Sequence, residues 1–369
     1  MTDSYRADHV GSFLRPPALL EARRTRIPIP ELEALENTYI SRVLQKQREI
    51  GLDAFTDGEL RRTNFMSDFT DAVDGFDSSG SVPRSWSDDA QKSSTPTPAV
   101  SNITGIVTSA LKQRQPLTGR EVPFLREQAP GPIKITLPSA TQFPAISFKY
   151  GITDAVYPDP YAMLDAITGI MAEDIKDLSG QGISYLQIDA PRYSYFLDPK
   201  WTAWMEKELR VNPAEMLTAS LNADNACFAA AKRPGVTLAI HLCRGNNRSH
   251  WYAEGGYDAI AERLFHELEV DRFLLEYDDE RSGGFEPLRL VPRGKMVVLG
   301  LISTKRAELE RKEELLRRID EAAKVLPLEQ LALSPQCGFA STMEGNLLTE
   351  ADQWAKLQLV VDIAREVWG

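Results

Sequence analysis

Short, unbroken apolar runs recur along this chain, and each is followed by a stretch with helical spacing. Val236-Thr237-Leu238-Ala239-Ile240 and Lys295-Met296-Val297-Val298-Leu299-Gly300-Leu301 are the clearest. A half-buried strand alternates apolar and polar side chains. A strand covered on both faces does not, and double-sided burial is the condition of a parallel sheet flanked by helices. On this reading strands fall at 6–10, 52–56, 132–137, 184–188, 236–240, 271–275, 296–301 and 330–333. Helices fall at about 31–50, 60–72, 160–181, 213–233, 256–268, 305–325 and 350–367. The alternation predicts an α/β protein, a closed (β/α)8 TIM barrel formed as a single domain over residues 1–369. An open doubly wound sheet is the other architecture that fits this rhythm. Residues 76–101, rich in Ser, Pro and Asp, break the pattern and predict an exposed insertion, a candidate lid. A hairpin of 99–109 with 114–118 is expected after it, so that the inserted region covers about 76–120.

Composition narrows the function classes. The 42 Lys and Arg against 53 Asp and Glu give a net charge of −11, which argues against nucleic acid and anionic membranes as partners. No run approaches the roughly 18–20 apolar residues of a membrane span. The N-terminal Met1-Thr2-Asp3-Ser4-Tyr5-Arg6 is polar and lacks the apolar core of a signal peptide, so a cytoplasmic location is expected. The 3 Cys, at 227, 243 and 337, do not suggest a disulfide framework; reduced thiols available to a metal fit better.

In a (β/α)8 barrel the chemistry sits at the C-terminal ends of the strands. The unusual polar residues of this chain converge there. Ser12 follows the first strand, and Asp57 and Glu59 follow the second. Asp189 ends the fourth, His241 and Cys243 the fifth, and Glu276 the sixth. Ser303 and Lys305 follow the seventh, and Cys337 follows the eighth. One imidazole, two thiols and a carboxylate are the ligand types zinc prefers. His241 and Cys243 are two apart, so on an extended strand end they point the same way. Glu276 closes the apolar run Phe273-Leu274-Leu275, where an ionised carboxylate needs a cation beside it. The bland alternative makes Cys243 and Cys337 small buried hydrophobes and His241 a satisfied core histidine. Cys227, in mid-helix, reads as packing.

A zinc ion with three anionic ligands is a weak Lewis acid, better suited to holding a substrate thiol as thiolate than to hydrolysis. Glu59 and Asp189 suit a substrate ammonium group, because a carboxylate–ammonium hydrogen bond is charge-assisted. The alternatives are a helix N-terminal acid for Glu59 and a turn-forming role for Asp189. Arg244 directly follows the metal pair and is placed to read an anionic tail, or else to make a surface ion pair. Trp251, Tyr252 and Tyr277 either line the pocket or pack.

At these residues the chain resembles the cobalamin-independent methionine synthase family, specifically its catalytic C-terminal half, a zinc-bearing (β/α)8 barrel. The His-x-Cys pair, a Glu some thirty residues on and a Cys-Gly near the C-terminus match that family's metal ligands in kind and order. The resemblance implies that His241, Cys243, Glu276 and Cys337 hold Zn2+. His9-Val10-Gly11-Ser12-Phe13 is similar to the family's Gly-Ser motif, which implies substrate binding at Ser12. Asp57-Gly58-Glu59 and Gln187-Ile188-Asp189-Ala190-Pro191 resemble the motifs whose Glu and Asp bind the amino group of homocysteine. Glu59 and Asp189 are therefore the implied catalytic and substrate-binding carboxylates. Ala190 stands where the family motif has Glu, and Ser303-Thr304-Lys305 stand where its seventh strand carries Asp and His. Long members add an N-terminal barrel, whereas these 369 residues make up one.

The implied activity is zinc-dependent thiol S-methyl transfer, to homocysteine in methionine biosynthesis. The implied partners are a small-molecule thiol and a methyl donor: 5-methyltetrahydrofolate, methylcobalamin or a partner protein. No G-x-G-x-x-G cradle follows a strand, so no nucleotide or S-adenosylmethionine donor is expected. Single-barrel epoxyalkane:coenzyme M transferases offer an alternative in which Arg244 or Arg192 holds a sulfonate. Uroporphyrinogen decarboxylases, which share the broad fold, offer a metal-free lyase. A barrel with a purely structural zinc is the blandest reading.

Overall fold

Six of the expected strands form one parallel sheet in sequence order, and the remaining two close it into a ring through isolated bridges. The computed structural model describes residues 5–80, 82 and 105–369. A separate antiparallel pair comes first in the chain, β1 (Val73–Asp77) with β2 (Ile106–Gln113). The parallel sheet then runs through β3 (Lys134–Pro138), β4 (Tyr185–Asp189), β5 (Thr237–Leu242), β6 (Arg272–Glu276), β7 (Met296–Ile302) and β8 (Leu331–Pro335). Every residue of β3, β4, β6, β7 and β8 is buried, as the non-alternating apolar runs require.

The sheet closes through two short extended segments. Ala7 bridges Leu333 in parallel, and Phe55 bridges Ile133 in parallel. The seam between these two staves carries side-chain contacts: His9 Nε2 meets the Ala54 carbonyl at 3.2 Å, and Thr56 Oγ1 donates to the Gly11 carbonyl at 3.1 Å. The result is the expected (β/α)8 barrel, in which 6–10 and 52–56 contribute single bridges in place of full strands.

Strand periodicity then sorts the side chains. Leu186, Ile188, Ile240, Phe273, Leu275, Val297 and Leu299 pack outward against the helices. Tyr185, Ala239, Leu274, Met296, Val298 and Ala332 pack against one another in the interior. Each next inward position lies at a strand's C-terminal end: Asp189 after Tyr185 and Gln187, His241 after Ala239, Glu276 after Leu274. The barrel interior therefore delivers its site residues by counting in twos.

Several expectations change. The hairpin partner of β2 is Val73–Asp77, which runs into the start of the insertion, and 114–118 takes no part in it. Residues 81 and 83–104, most of the expected insertion and the start of the expected hairpin, lie outside the described residues. The helix expected over 60–72 is confined to Ser67–Ala72, and that expected over 305–325 begins at Lys312. The helix expected over 256–268 splits into a short 3-10 turn at Tyr257–Ala259 and the helix Ala261–Glu267. Among the described residues no helix is long and apolar enough to cross a membrane.

Candidate metal centre

His241, Cys243 and Cys337 meet at the C-terminal rim, all buried, with ligand atoms within 4.8 Å of one another. Tetrahedral zinc with bonds of about 2.0–2.3 Å sets its ligand atoms roughly 3.3–3.8 Å apart, so a small contraction brings the three onto a common ion. Neither ring nitrogen of His241 finds an oxygen or nitrogen hydrogen-bond partner among the described residues, a costly state for a buried imidazole unless it ligates. The donor set and this orphaned ring both fit a thiophilic metal.

The local sequence explains the convergence. Leu242 is in register with Leu275, which places Cys243 beside the end of β6. Gly300 on β7 faces Glu276, and a Cβ there would lie 2.8 Å from the Leu275 carbonyl and 2.7 Å from Gln336 Cα. Only glycine lets the ends of β6 and β8 approach this closely beside β7. The register irregularity after Gly300 then aims β8 toward the rim, with Gln336 N donating to the Ile302 carbonyl at 2.8 Å. Gly338 serves a similar end: a Cβ there would overlap Ser12 Oγ.

The electrostatics favour one thiolate. Cys337 is driven well below the usual thiol range by the hydrogen bond from Cys243, with His241 and Lys305 adding to it against the effect of burial. Cys243 is held well above that range by the same contact and by burial. His241 is raised: burial opposes its charge, but the Cys337 sulfur, Asp189 and Glu276 outweigh it.

Glu276 is not part of the three-residue cluster. Its Oε2 accepts from the Arg244 amide at 2.7 Å, and its Oε1 lies 3.7 Å from both Lys305 Nζ and an Arg281 nitrogen. Oε1 makes no hydrogen bond at that distance and, among the described residues, is held by these two cations alone in a fully buried carboxylate.

A cavity adjoins the cluster and is lined by Ser12, Glu59, Asp189, His241, Cys243 and Cys337, among others. Asp189 is in register with His241 and is held by Gln187 Nε2 at 2.8 Å. Burial raises its carboxyl to about 7, eased by His241. Glu59 sits in the left-handed backbone region at φ 56°, where a non-glycine residue is strained. Its Oε1 accepts from Thr136 Oγ1 at 2.8 Å and faces Arg62 at 3.5 Å, while Oε2 is buried without a partner. A strained residue with an unspent oxygen in a cavity is the geometry of a ligand-binding carboxylate. Ser12 holds the Cys337 loop, its carbonyl accepting from Phe339 N at 2.9 Å.

The sequence profile of the cobalamin-independent synthase catalytic domain matches residues 9–366. The chain belongs to this family. Within it, the chain is 42% identical to the protein named YxjH of Bacillus subtilis (strain 168), over 99% of this chain and 95% of that one. It is 23% identical to the methionine synthase of Pyrococcus abyssi (strain GE5 / Orsay), over 89% of this chain and 84% of that one. A crystal structure from Listeria monocytogenes, described as a candidate vitamin-B12-independent methionine synthase, superposes with a TM-score of 0.73 at 27% identity, covering 100% of this chain and 99% of that one. The barrel of this synthase-family member thus matches along its whole length.

One expectation about arginine changes. Arg244 does not line the cavity. Its guanidinium donates to the Gly255 carbonyl at 2.6 Å and 3.0 Å and to the Tyr257 hydroxyl at 3.2 Å, fixing the loop after β5. A guanidinium so committed has little left for a substrate. Arg192 is the arginine in the cavity. Arg62, which steadies Glu59, was not anticipated; its position three residues after Glu59 was the available clue. Gln142 and Met66, also in the cavity wall, carry no sequence signal.

Proposed function

We propose that this synthase-family member is a zinc-dependent thiol S-methyltransferase whose acceptor is homocysteine. The observation that carries this reading is a buried His/Cys/Cys cluster opening on a cavity that also holds the unspent carboxylate oxygen of Glu59 and the carboxyl of Asp189. His241, Cys243 and Cys337 would hold the metal, with Glu276 as fourth ligand through Oε1. When bound, zinc supplies a charge that keeps a substrate sulfur anionic near neutral pH while its thiolate ligands leave that sulfur electron-rich. Glu59 and Asp189 receive the substrate ammonium and so orient the thiol; Ser12 shapes the floor beside them. On binding the thiol would give up its proton to solvent water. The sulfur lone pair then forms the new bond to carbon as the donor's bond to the methyl group breaks. The names of the Pyrococcus and Listeria relatives, both methionine synthases by description, support the same acceptor. We read residues 1–369 as one barrel domain working in the cytoplasm.

The donor is open to experiment: 5-methyltetrahydrofolate, methylcobalamin or a methyl-carrying partner protein. The test is mass-spectrometric detection of methionine after incubating zinc-loaded protein with homocysteine and each donor. Methionine with one donor is the expected outcome. Methylation of a different thiol under the same conditions would reassign the acceptor, and protein isolated with less than about a tenth of an equivalent of zinc would point to a metal-free barrel chemistry.

A further inference from the structure

The cavity contains a buried cation that the site, as described so far, leaves without a counterion. Arg192 is 4% exposed and lines the cavity next to Pro191. Its guanidinium lies 4.8 Å from the ring centre of Tyr195 and 5.0 Å from that of Tyr252, and it donates to the Tyr195 hydroxyl at 2.8 Å. Its Nε is buried with no hydrogen-bond partner, and no carboxylate among the described residues pairs with it.

Other buried arginines of this chain are provided for. Arg62 meets Glu59, Asp68 and Glu121. Arg15 spends its guanidinium on the carbonyls of Phe13, Ala340, Glu59 and Arg62. Arg244 is bound to backbone in the same way. Arg192 makes one hydrogen bond where Arg15 and Arg244 each make four, and two cation–π contacts return less than desolvating a guanidinium takes, so Arg192 is the least provided for of this group. Arg192, Tyr252, Asp189 and Cys243 all line the same cavity.

We propose that Arg192 binds the carboxylate of an amino-acid thiol while Asp189, three residues before it, takes the ammonium group on the same carbon. The inference rests on the thiol-methyltransferase reading above and makes Arg192 the residue that selects zwitterionic thiols. A guanidinium with a free Nε offers the planar fork that a carboxylate accepts in paired hydrogen bonds. The side chain is already pinned by Tyr195 and Tyr252, so little freedom is lost when the ligand arrives.

Calorimetric binding of three thiols to zinc-loaded wild type, Arg192→Leu and Arg192→Lys tests it. The probes are L-homocysteine, 3-aminopropanethiol, which lacks the carboxylate, and 2-mercaptoethanesulfonate, which lacks the ammonium. Arg192→Leu is expected to weaken homocysteine at least about tenfold, as loss of a charge-assisted bond predicts. It should leave 3-aminopropanethiol unchanged, and Arg192→Lys should recover part of the loss. Unchanged binding of the carboxylate-free thiol also reports an intact pocket in the variant. Equal weakening of both amines, or no weakening of homocysteine, overturns the role given to Arg192 and leaves the methyltransferase reading standing. Wild type that binds 2-mercaptoethanesulfonate but no amino-acid thiol, or that binds no thiol, overturns both.

Discussion

At the scale of single residues, the proposed metal ligands and the proposed substrate carboxylates have separable duties. Cys337→Ser should abolish zinc retention, measured by elemental analysis, without lowering the thermal midpoint, because the barrel interior is packed by Tyr185, Ala239, Leu274 and Val298 without help from a metal. Asp189→Asn should weaken homocysteine binding about tenfold or more while zinc stoichiometry holds; equal loss of both would remove the substrate role. His9 makes a prediction away from the site. Burial holds its imidazole down to about 4, with Lys134 adding to the effect. The unfolded chain takes up this proton near the ordinary value of 6.5, before the folded chain does. Stability contributed by neutral His9 is therefore present above pH 6.5 and is lost as pH falls toward 4, by about 3 kcal/mol in all. Urea unfolding midpoints should slope downward over that window, and His9→Gln should flatten the slope. The ligand trio was legible in the sequence because His and Cys are rare here and strand ends fix their direction. The roles of the arginines were not: Arg244 and Arg192 each follow a site residue closely, and only the turn of each loop decides which one faces the cavity.

Among elements, β7 is the one on which the rim depends. Its Gly300 lets β6 and β8 close in, so Gly300→Ala should force backbone apart at the Leu275 carbonyl and at Gln336. A loss of about 1–3 kcal/mol in stability and a drop in zinc affinity are expected, read by urea unfolding and by competition with a chelating dye. The sheet strands were readable from their composition. The hairpin was not, since Val73-Asp74-Gly75-Phe76-Asp77 carries two Asp and a Gly, all poor strand formers, and pairs with residues far along the chain. The helix expected from residue 305 starts late for a tertiary reason. The Lys356 ammonium takes the Glu308 carbonyl and the Glu310 carboxylate, and Glu310 also accepts from the Ser303 amide, so the chain is fixed in a non-helical path first.

For the whole molecule, closure of the barrel depends on charge buried at its interior. Lys134 on β3 donates to Asp8 at 2.7 Å, both side chains fully buried, and Tyr185 donates to the other Asp8 oxygen at 2.7 Å. This ties the first stave to β3 and β4 across the ring. Asp8→Ala would strand the Lys134 ammonium, and a loss of about 3–5 kcal/mol in unfolding free energy is expected; a loss under about 1 kcal/mol would mean that the ring closes without it. The (β/α)8 class was readable because eight runs alternate with helices. The unequal quality of those staves was not, because it depends on register and not on composition. That inequality shapes how such a protein diverges. The His/Cys/Cys cluster and Asp189 hang from continuously laddered strands, whereas Ser12 and Glu59 hang from the two staves joined by single bridges. Substitutions on the two lightly bridged staves can therefore vary one wall of the cavity, at Ser12 and Glu59, while the laddered side that carries His241, Cys243, Cys337 and Asp189 keeps its shape, which gives related barrels room to differ in what they admit.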